Sequence, residues 1–366
     1  MANYTFFAMK VRLKNQTFCY TAAKILIYRF LLIVTMKHKR PTLQDIAEHL
    51  GITKMTVSRY LRNPNAVAQE TRHRIAAAIE RFGYIPNRAP EILSNAKSKA
   101  IGVLLPSLTN HVFADVLKGI ELIADEAGYQ TMLAHYGYSV KKEEDRIESL
   151  LSYNVDGLIL SENYHSLRTL KMIEVANIPV IEIMDSSQVG IQQVIGFDNV
   201  AAAQSIVETM ILRGHKNIVY FTARMDKRTQ LKMQGYEQAM KKYGLEPYSL
   251  ITEEASSFTL GGKQLREILT KRPQTDGIFC TNDDLAIGAL FECQRLGIAV
   301  PTQIAIAGFH GHDVGFSVTP KLGTVITPRL DIGKRAAQEL IARLNGEPLK
   351  EEMIDLGFKI HLGESL

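Results

Sequence analysis

The sequence predicts an α/β protein in two parts: an N-terminal all-α head built on a helix-turn-helix, and a core of two doubly wound parallel-sheet lobes. Three observations point there. Residues 42–82 carry apolar side chains at helical spacing, interrupted at Gly51. From Ile101 onward, strand-like apolar runs alternate with helix-like segments. The charge is also divided along the chain. Of a net +5, residues 1–36 contribute +5 without an acid, and residues 37–99 contribute +7 from twelve Lys/Arg against five acids. Residues 100–366 are left at −7. A compact basic head on an acidic body points to a polyanionic partner for the head, because clustered cations release condensed counterions as they neutralise phosphates.

Residues 1–36 read as an N-terminal extension. The apolar stretch 22–36 is broken by Lys24 and Arg29, and the run after Arg29 is far shorter than the roughly 18 residues a spanning helix needs. It has no small-residue cleavage site of the secretory kind. Neither a membrane anchor nor export is expected, and translation is expected to begin at Met36. Cys19, Cys280 and Cys293 form no C-x-x-C pair, which suits structural thiols in a reducing, cytoplasmic setting.

In the head, Thr42-Leu-Gln-Asp45 resembles a capping box with Asp in the place of Glu, and Leu43, Ile46, Ala47 and Leu50 follow at helical spacing. Gly51 permits the tight turn and Thr53 caps a second helix through Leu61. Ala47, Gly51 and Val57 stand at helix-turn-helix offsets: Ala lets the helices approach, Gly turns the chain, Val packs the second helix back. An ordinary helical hairpin is the alternative. In the DNA-binding reading, Lys54, Met55 and Arg59 reach base edges while Thr56 and Ser58 meet phosphates. A third helix, 70–81, buries Ile75, Ile79 and Phe82, with Arg72 and Arg74 on a solvated, generally attractive face. Residues 89–97 are too short and polar to form a stable helix alone, so they are expected to fold on a partner.

In the core, the units Asp156–Ser161 and Asp276–Thr281 repeat a turn-plus-strand pattern, and Asn217–Gly244 echoes Ile101–Gly128. Ligands of open α/β sheets sit beyond the carboxyl ends of strands. The loops Ser107–Phe113, Asp185, Phe197-Asp198, Arg224–Lys232, Thr281–Asp284, Phe309–Asp313 and Thr327–Arg329 are therefore expected to line a cleft. The run His310-Gly-His-Asp313 lacks a third distant ligand, so no metal is expected there. Gly-rich phosphate loops and nucleophile elbows are missing as well, which leaves no sequence support for a cofactor or for catalysis.

The runs TLQDIAEHLGITKMTVSRYLRNP and YIPNRAPEILSNAKSKAIGVLLPSLTN resemble the LacI/GalR family of bacterial transcription regulators, and the likeness extends over nearly everything after residue 40. Within the family, TKMTVSR, YIPNRAP, LAHYGY, FCTNDD and AGFHGHD are similar to regulators of gluconate and L-idonate utilisation. The resemblance implies a helix-turn-helix head at 37–85, a hinge helix at 86–99 and a periplasmic-binding-protein-like core at 100–366. Lobe 1 would take about 100–197 plus 329–355, and lobe 2 about 198–326 plus 356–366. It implies a homodimer on double-stranded, pseudo-palindromic operator DNA. Leu93 would wedge between central base pairs in the minor groove, with Asn87 and Arg88 near the backbone; a leucine merely buried in a linker is the alternative. The family's effector positions fall on Ser107, Phe113, Lys232, Asn282 and His310. Many sugar-responsive relatives have Asp where His310 stands. With nearby Arg329 this makes the site less anionic and suits a sugar acid, whose carboxylate Lys232 would pair. Lys232 on an exposed helix face is the alternative. The expected activity is repression relieved by the effector. The rivals are a solute-binding protein of a transport system and a sugar-acid enzyme using His310 and Asp313 as acid and base.

Overall fold

The computed structural model describes residues 40–87 and 97–366. The extension 1–36, Arg88 and the proposed wedge Leu93 lie outside the described residues. The chain divides into two compact units, Met1–Pro90 and Glu91–Leu366.

The first unit holds α1 (Leu43–Leu50), α2 (Lys54–Arg62) and α3 (Gln69–Phe82). Thr42 Oγ1 accepts from the Asp45 amide, and the Asp45 carboxylate accepts from Thr42 N at 2.6 Å, which closes the capping box. Gly51 sits at φ 65°, where a side chain would be strained, and its amide returns to the last carbonyls of α1. Thr53 accepts from Thr56 N and starts α2. Each cap contributes about 1 kcal/mol. Ile46 and Ala47 from α1, Val57 from α2, and Ile75 and Ala78 from α3 close a small common core with Val67 and Tyr84. Arg74 is not simply a solvated cation. Its Nη2 donates to Leu50 O at 2.9 Å and ties α3 to the end of α1.

The second unit begins β1 (Ala100–Leu105), α4 (Val112–Glu126), β2 (Gln130–His135), α5 (Val140–Ser152), β3 (Gly157–Leu160), α6 (Leu167–Ala176), β4 (Val180–Ile183) and β5 (Val194–Gly196). It continues α7 (Asn199–Leu212), β6 (Ile218–Phe221), α8 (Lys227–Lys242), β7 (Tyr248–Leu250), α9 (Phe258–Lys271), β8 (Gly277–Cys280), α10 (Asp283–Leu296) and β9 (Ala305–His310). It ends α11 (Asp313–Ser317), β10 (Gly323–Ile326), α12 (Arg329–Leu344), β11 (Met353–Asp355) and β12 (Lys359–His361).

Two sheets result, in the orders β11-β5-β4-β3-β1-β2 and β12-β10-β9-β8-β6-β7. Neighbouring strands are parallel throughout, except that β12 runs antiparallel to β10. The inner strands β1, β3, β4, β6, β8 and β9 are buried along their whole length, as helices on both faces require. Helix α12 follows β10 of the second sheet in sequence yet packs on α4 of the first. Gly119 and Gly333 allow this close approach: a Cβ on Gly119 would strike Leu330 O, and one on Gly333 would strike Val116 O. Phe197, Phe309, Phe279, Tyr220 and Tyr236 form a continuous aromatic chain, with ring centroids 5.1–6.3 Å apart, that joins the two lobes' cores.

The first lobe also buries a polar triad. His165 Nδ1 lies 2.7 Å from Glu143 Oε1 and its Nε2 3.2 Å from Glu182 Oε1. Burial opposes charge on the imidazole, but hydrogen bonds with the two carboxylates outweigh it and push the His165 pKa up to about 9.

Candidate functional site

A small cavity of about 40 Å³ opens between the carboxyl ends of the two sheets. Asn110, Val112, Phe113, Tyr138 and Met184 line it from the first lobe; Arg224, Asp226, Arg228, Thr229, Lys232, Ser256, Asn282 and His310 line it from the second.

Its character is set by cations held under cover. Lys232, on the inner face of α8, is buried; its Nζ donates to Thr281 O at 2.9 Å, lies 3.1 Å from His310 Nε2 and sits over the Phe309 ring. Burial disfavours the ammonium and lowers its pKa to about 7. His310 is driven well below its ordinary value by burial and by Lys232. The neutral tautomer that fits donates from Nδ1 to Thr327 Oγ1 (3.3 Å) and accepts at Nε2. One helical turn before Lys232, Arg228 donates to Ser161 O at 2.6 Å, so a second-lobe cation is anchored on the first lobe. Its carboxylate neighbour Glu162 stays 3.8 Å away. Arg224 stacks on Tyr138, 4.6 Å from the ring centroid.

Neutral donors complete the lining. Asn282 uses Oδ1 to cap α10 and to accept from Ser256 Oγ, which leaves its amide N–H groups for a ligand.

Of the six residues expected to contact an effector, Phe113, Lys232, Asn282 and His310 line this cavity; Ser107 and Arg329 do not. Ser107 Oγ instead accepts from the amides of Thr109 and Asn110, each at 3.2 Å, and shapes the loop that presents Asn110. Arg329 is taken up by Asp115 Oδ2, at 3.1 Å from Nε and 2.9 Å from Nη2, and its Nη1 donates to His310 O. That brace holds His310 at φ 105°, a conformation costly for a residue with a Cβ. An exposed Lys232 is excluded by its burial.

In the head, α2 turns Val57 inward and shows Lys54, Met55 and Arg59 to solvent, Met55 being 62 % exposed. Such a large apolar side chain standing between two exposed cations suits contact with base edges and thymine methyls. Thr56 and Ser58 are half-buried, and the Thr56 hydroxyl is 2.9 Å from that of Thr53. Lys54 and Asn87 border one groove with Arg40.

Comparison with known proteins agrees with both halves. The profile for bacterial regulatory proteins of the lacI family matches residues 42–87, and that for periplasmic binding protein-like domains matches residues 207–366. The chain is 57 % identical to the HTH-type transcriptional regulator GntR of Escherichia coli (strain K12) over 331 residues, covering 90 % of this chain and all of that protein. The chain belongs to the lacI family. Its identity to the HTH-type transcriptional regulator IdnR of the same organism is 46 % over 332 residues, again 90 % of this chain and all of that one. The crystal structure of a LacI family transcriptional regulator from Silicibacter pomeroyi superposes with a TM-score of 0.84 at 31 % identity, covering 89 % of this chain and 99 % of that one.

In this lacI family member Arg228 falls within the 224–232 segment expected at the cleft but was not singled out as an effector contact, and Tyr138 was not expected there. The signal for Arg228 was available, since it lies four residues before Lys232 on the same helix face. Tyr138 gave no such signal, because only the fold brings it opposite Arg224. Among the described residues no helix is long and apolar enough to cross a membrane.

Proposed function

We propose that the chain is a homodimeric, cytoplasmic repressor of sugar-acid catabolism, with α2 of each head reading half of an operator and a gluconate- or idonate-type acid in the cavity relieving repression. The observation that carries the effector class is the set of cations, Lys232, Arg228 and Arg224, lining one cavity beside the amide donors of Asn110 and Asn282 and the hydroxyl acceptors of Thr229 and Ser256. The cations suit a carboxylate and the donors suit a chain of hydroxyls. Because the two lobes share this cavity, an effector that favours one arrangement of the lobes shifts the protein between operator-competent and operator-incompetent states. A coupling of about 1–3 kcal/mol suffices.

The test is a gel-shift titration on duplexes from the protein's own promoter neighbourhood, with a panel of sugar acids and matching neutral sugars. Release by one acid, and loss of that release in Lys232→Gln with operator binding intact, is the expected result. Equal retention with every acid overturns the effector reading, and indifference to the duplexes at low salt overturns the regulator reading. A solute-binding protein has no use for the exposed basic helix. The enzyme reading needs His310 and Asp313 together, yet Asp313 does not line the cavity. A turnover assay on gluconate checks that rival directly.

A further inference from the structure

Beside the cavity, but not part of its lining, stand three groups to which effector binding gives no role. His312 caps α11, and its backbone is held by a fully buried carboxylate. Asp283 Oδ2 accepts from His312 N at 2.6 Å while Asp283 Oδ1 accepts from Thr324 Oγ1 at 2.6 Å. The His312 side chain is only 6 % exposed, and neither of its ring nitrogens has a hydrogen-bond partner. Asp284 Oδ1 is likewise buried without a partner and lies 3.7 Å from His312 Nδ1, too far for a hydrogen bond. The exposed ring of His111, just before α4 in the first lobe, has its centroid 6.0 Å from that of His312. One ligand atom from each of His111, Asp284 and His312 falls within 4.8 Å of the others.

Asp284 Oδ1 and a ring nitrogen of His312, buried side by side without a protein partner, are both satisfied by a single cation placed between them. We propose that His111, Asp284 and His312 form a zinc-type site whose ion straps the first lobe to the second. Two imidazoles and one carboxylate are a donor set for Zn²⁺ with an open fourth position, and too poor in oxygen for Ca²⁺ or Mg²⁺. Bonds of about 2.0–2.1 Å place tetrahedral donors roughly 3.4 Å apart. Separations of up to 4.8 Å must therefore close by as much as about 1.4 Å, through rotation of the exposed His111. His310, whose ring stacks 6.1 Å from that of His312, is engaged by Lys232 and Thr327 and stays out of the site. Along the chain the H-G-H-D run has no third distant ligand; the fold brings two, from positions 111 and 284.

The test uses the untagged full chain, stripped with a chelator and titrated calorimetrically with Zn²⁺, with Co²⁺ as an absorbing substitute. One ion per chain, with a Co²⁺ d–d band of tetrahedral intensity, is expected. His111→Ala, at an exposed position that does not threaten folding, weakens binding at least about tenfold, and His312→Gln removes the band. Zn²⁺ raises the melting temperature of the parent but not of His111→Ala. Binding no stronger than that of the His111→Ala, His312→Gln double variant overturns the proposal, because the unpaired atoms are then served by water. Undiminished binding in His111→Ala overturns the strap. Operator binding measured without Zn²⁺ reports on the proposed function separately.

Discussion

If Lys232 holds the effector's carboxylate, binding takes up a proton. Burial brings the Lys232 pKa to about 7 in the free protein, while a carboxylate pairs with the ammonium alone and so raises that value in the complex. The sign is then fixed: affinity is flat below about pH 6 and falls about tenfold per unit above pH 7, as the free protein must first regain the proton. The ammonium fraction drops from about nine-tenths at pH 6 to about three-hundredths at pH 8.5, a loss of about 30-fold or about 2 kcal/mol in binding. The charged neighbours do not mask this. His310 is held neutral by burial and by Lys232, Arg228 stays charged, and Asp226, which caps α8, faces the same cavity. Calorimetry on a binding sugar acid in two buffers of different ionisation enthalpy should show uptake of about half a proton at pH 7. Lys232→Met, similar in length and without a charge, should abolish both the uptake and the pH slope. Affinity that stays level from pH 6 to 8.5 with no uptake would refute the assignment.

Four more outcomes concern other parts of the chain. The folded pKa of His165, about 9, lies above its ordinary 6.5, so its contribution is full below about pH 6.5 and lost as pH rises through 9; about 3 kcal/mol of stability goes with it. Urea melts at pH 6 and pH 9 check this, and His165→Leu, which strands Glu143 and Glu182, should cost about 3–5 kcal/mol at pH 6. Gly333→Ala forces its Cβ against Val116 O and should lower stability by about 1–3 kcal/mol, read by thermal melting, with the head's own melting unchanged. Arg59→Ala should weaken operator binding by about 1–3 kcal/mol and nonspecific binding less; equal losses on both duplexes would place Arg59 on phosphates instead. For Leu93→Ala the wedge reading expects the same asymmetry between operator and nonspecific DNA.

The head was legible because its determinants are local. A cap, a positive-φ glycine and apolar positions three and four apart act within one or two turns, and Thr42, Gly51, Thr53 and Val57 occupy the places their chemistry demands. The alternation of strand and helix was legible for the same reason, since period and apolar run length are properties of short segments. Arg74 reads as solvated in sequence because its partner, Leu50 O, lies 24 residues away.

What the chain order alone determined, then, is the kind of element at each place, the basic head and acidic body, and four of the loops that reach the cavity, with Phe113, Lys232, Asn282 and His310 singled out within them. Tertiary structure decided which charges are available there. Asp115, 214 residues from Arg329, claims that guanidinium, while burial within α8 strips Lys232 of much of its preference for the proton. Distances across the fold and removal from water set both outcomes, and neither quantity is written in the spacing of residues along the chain.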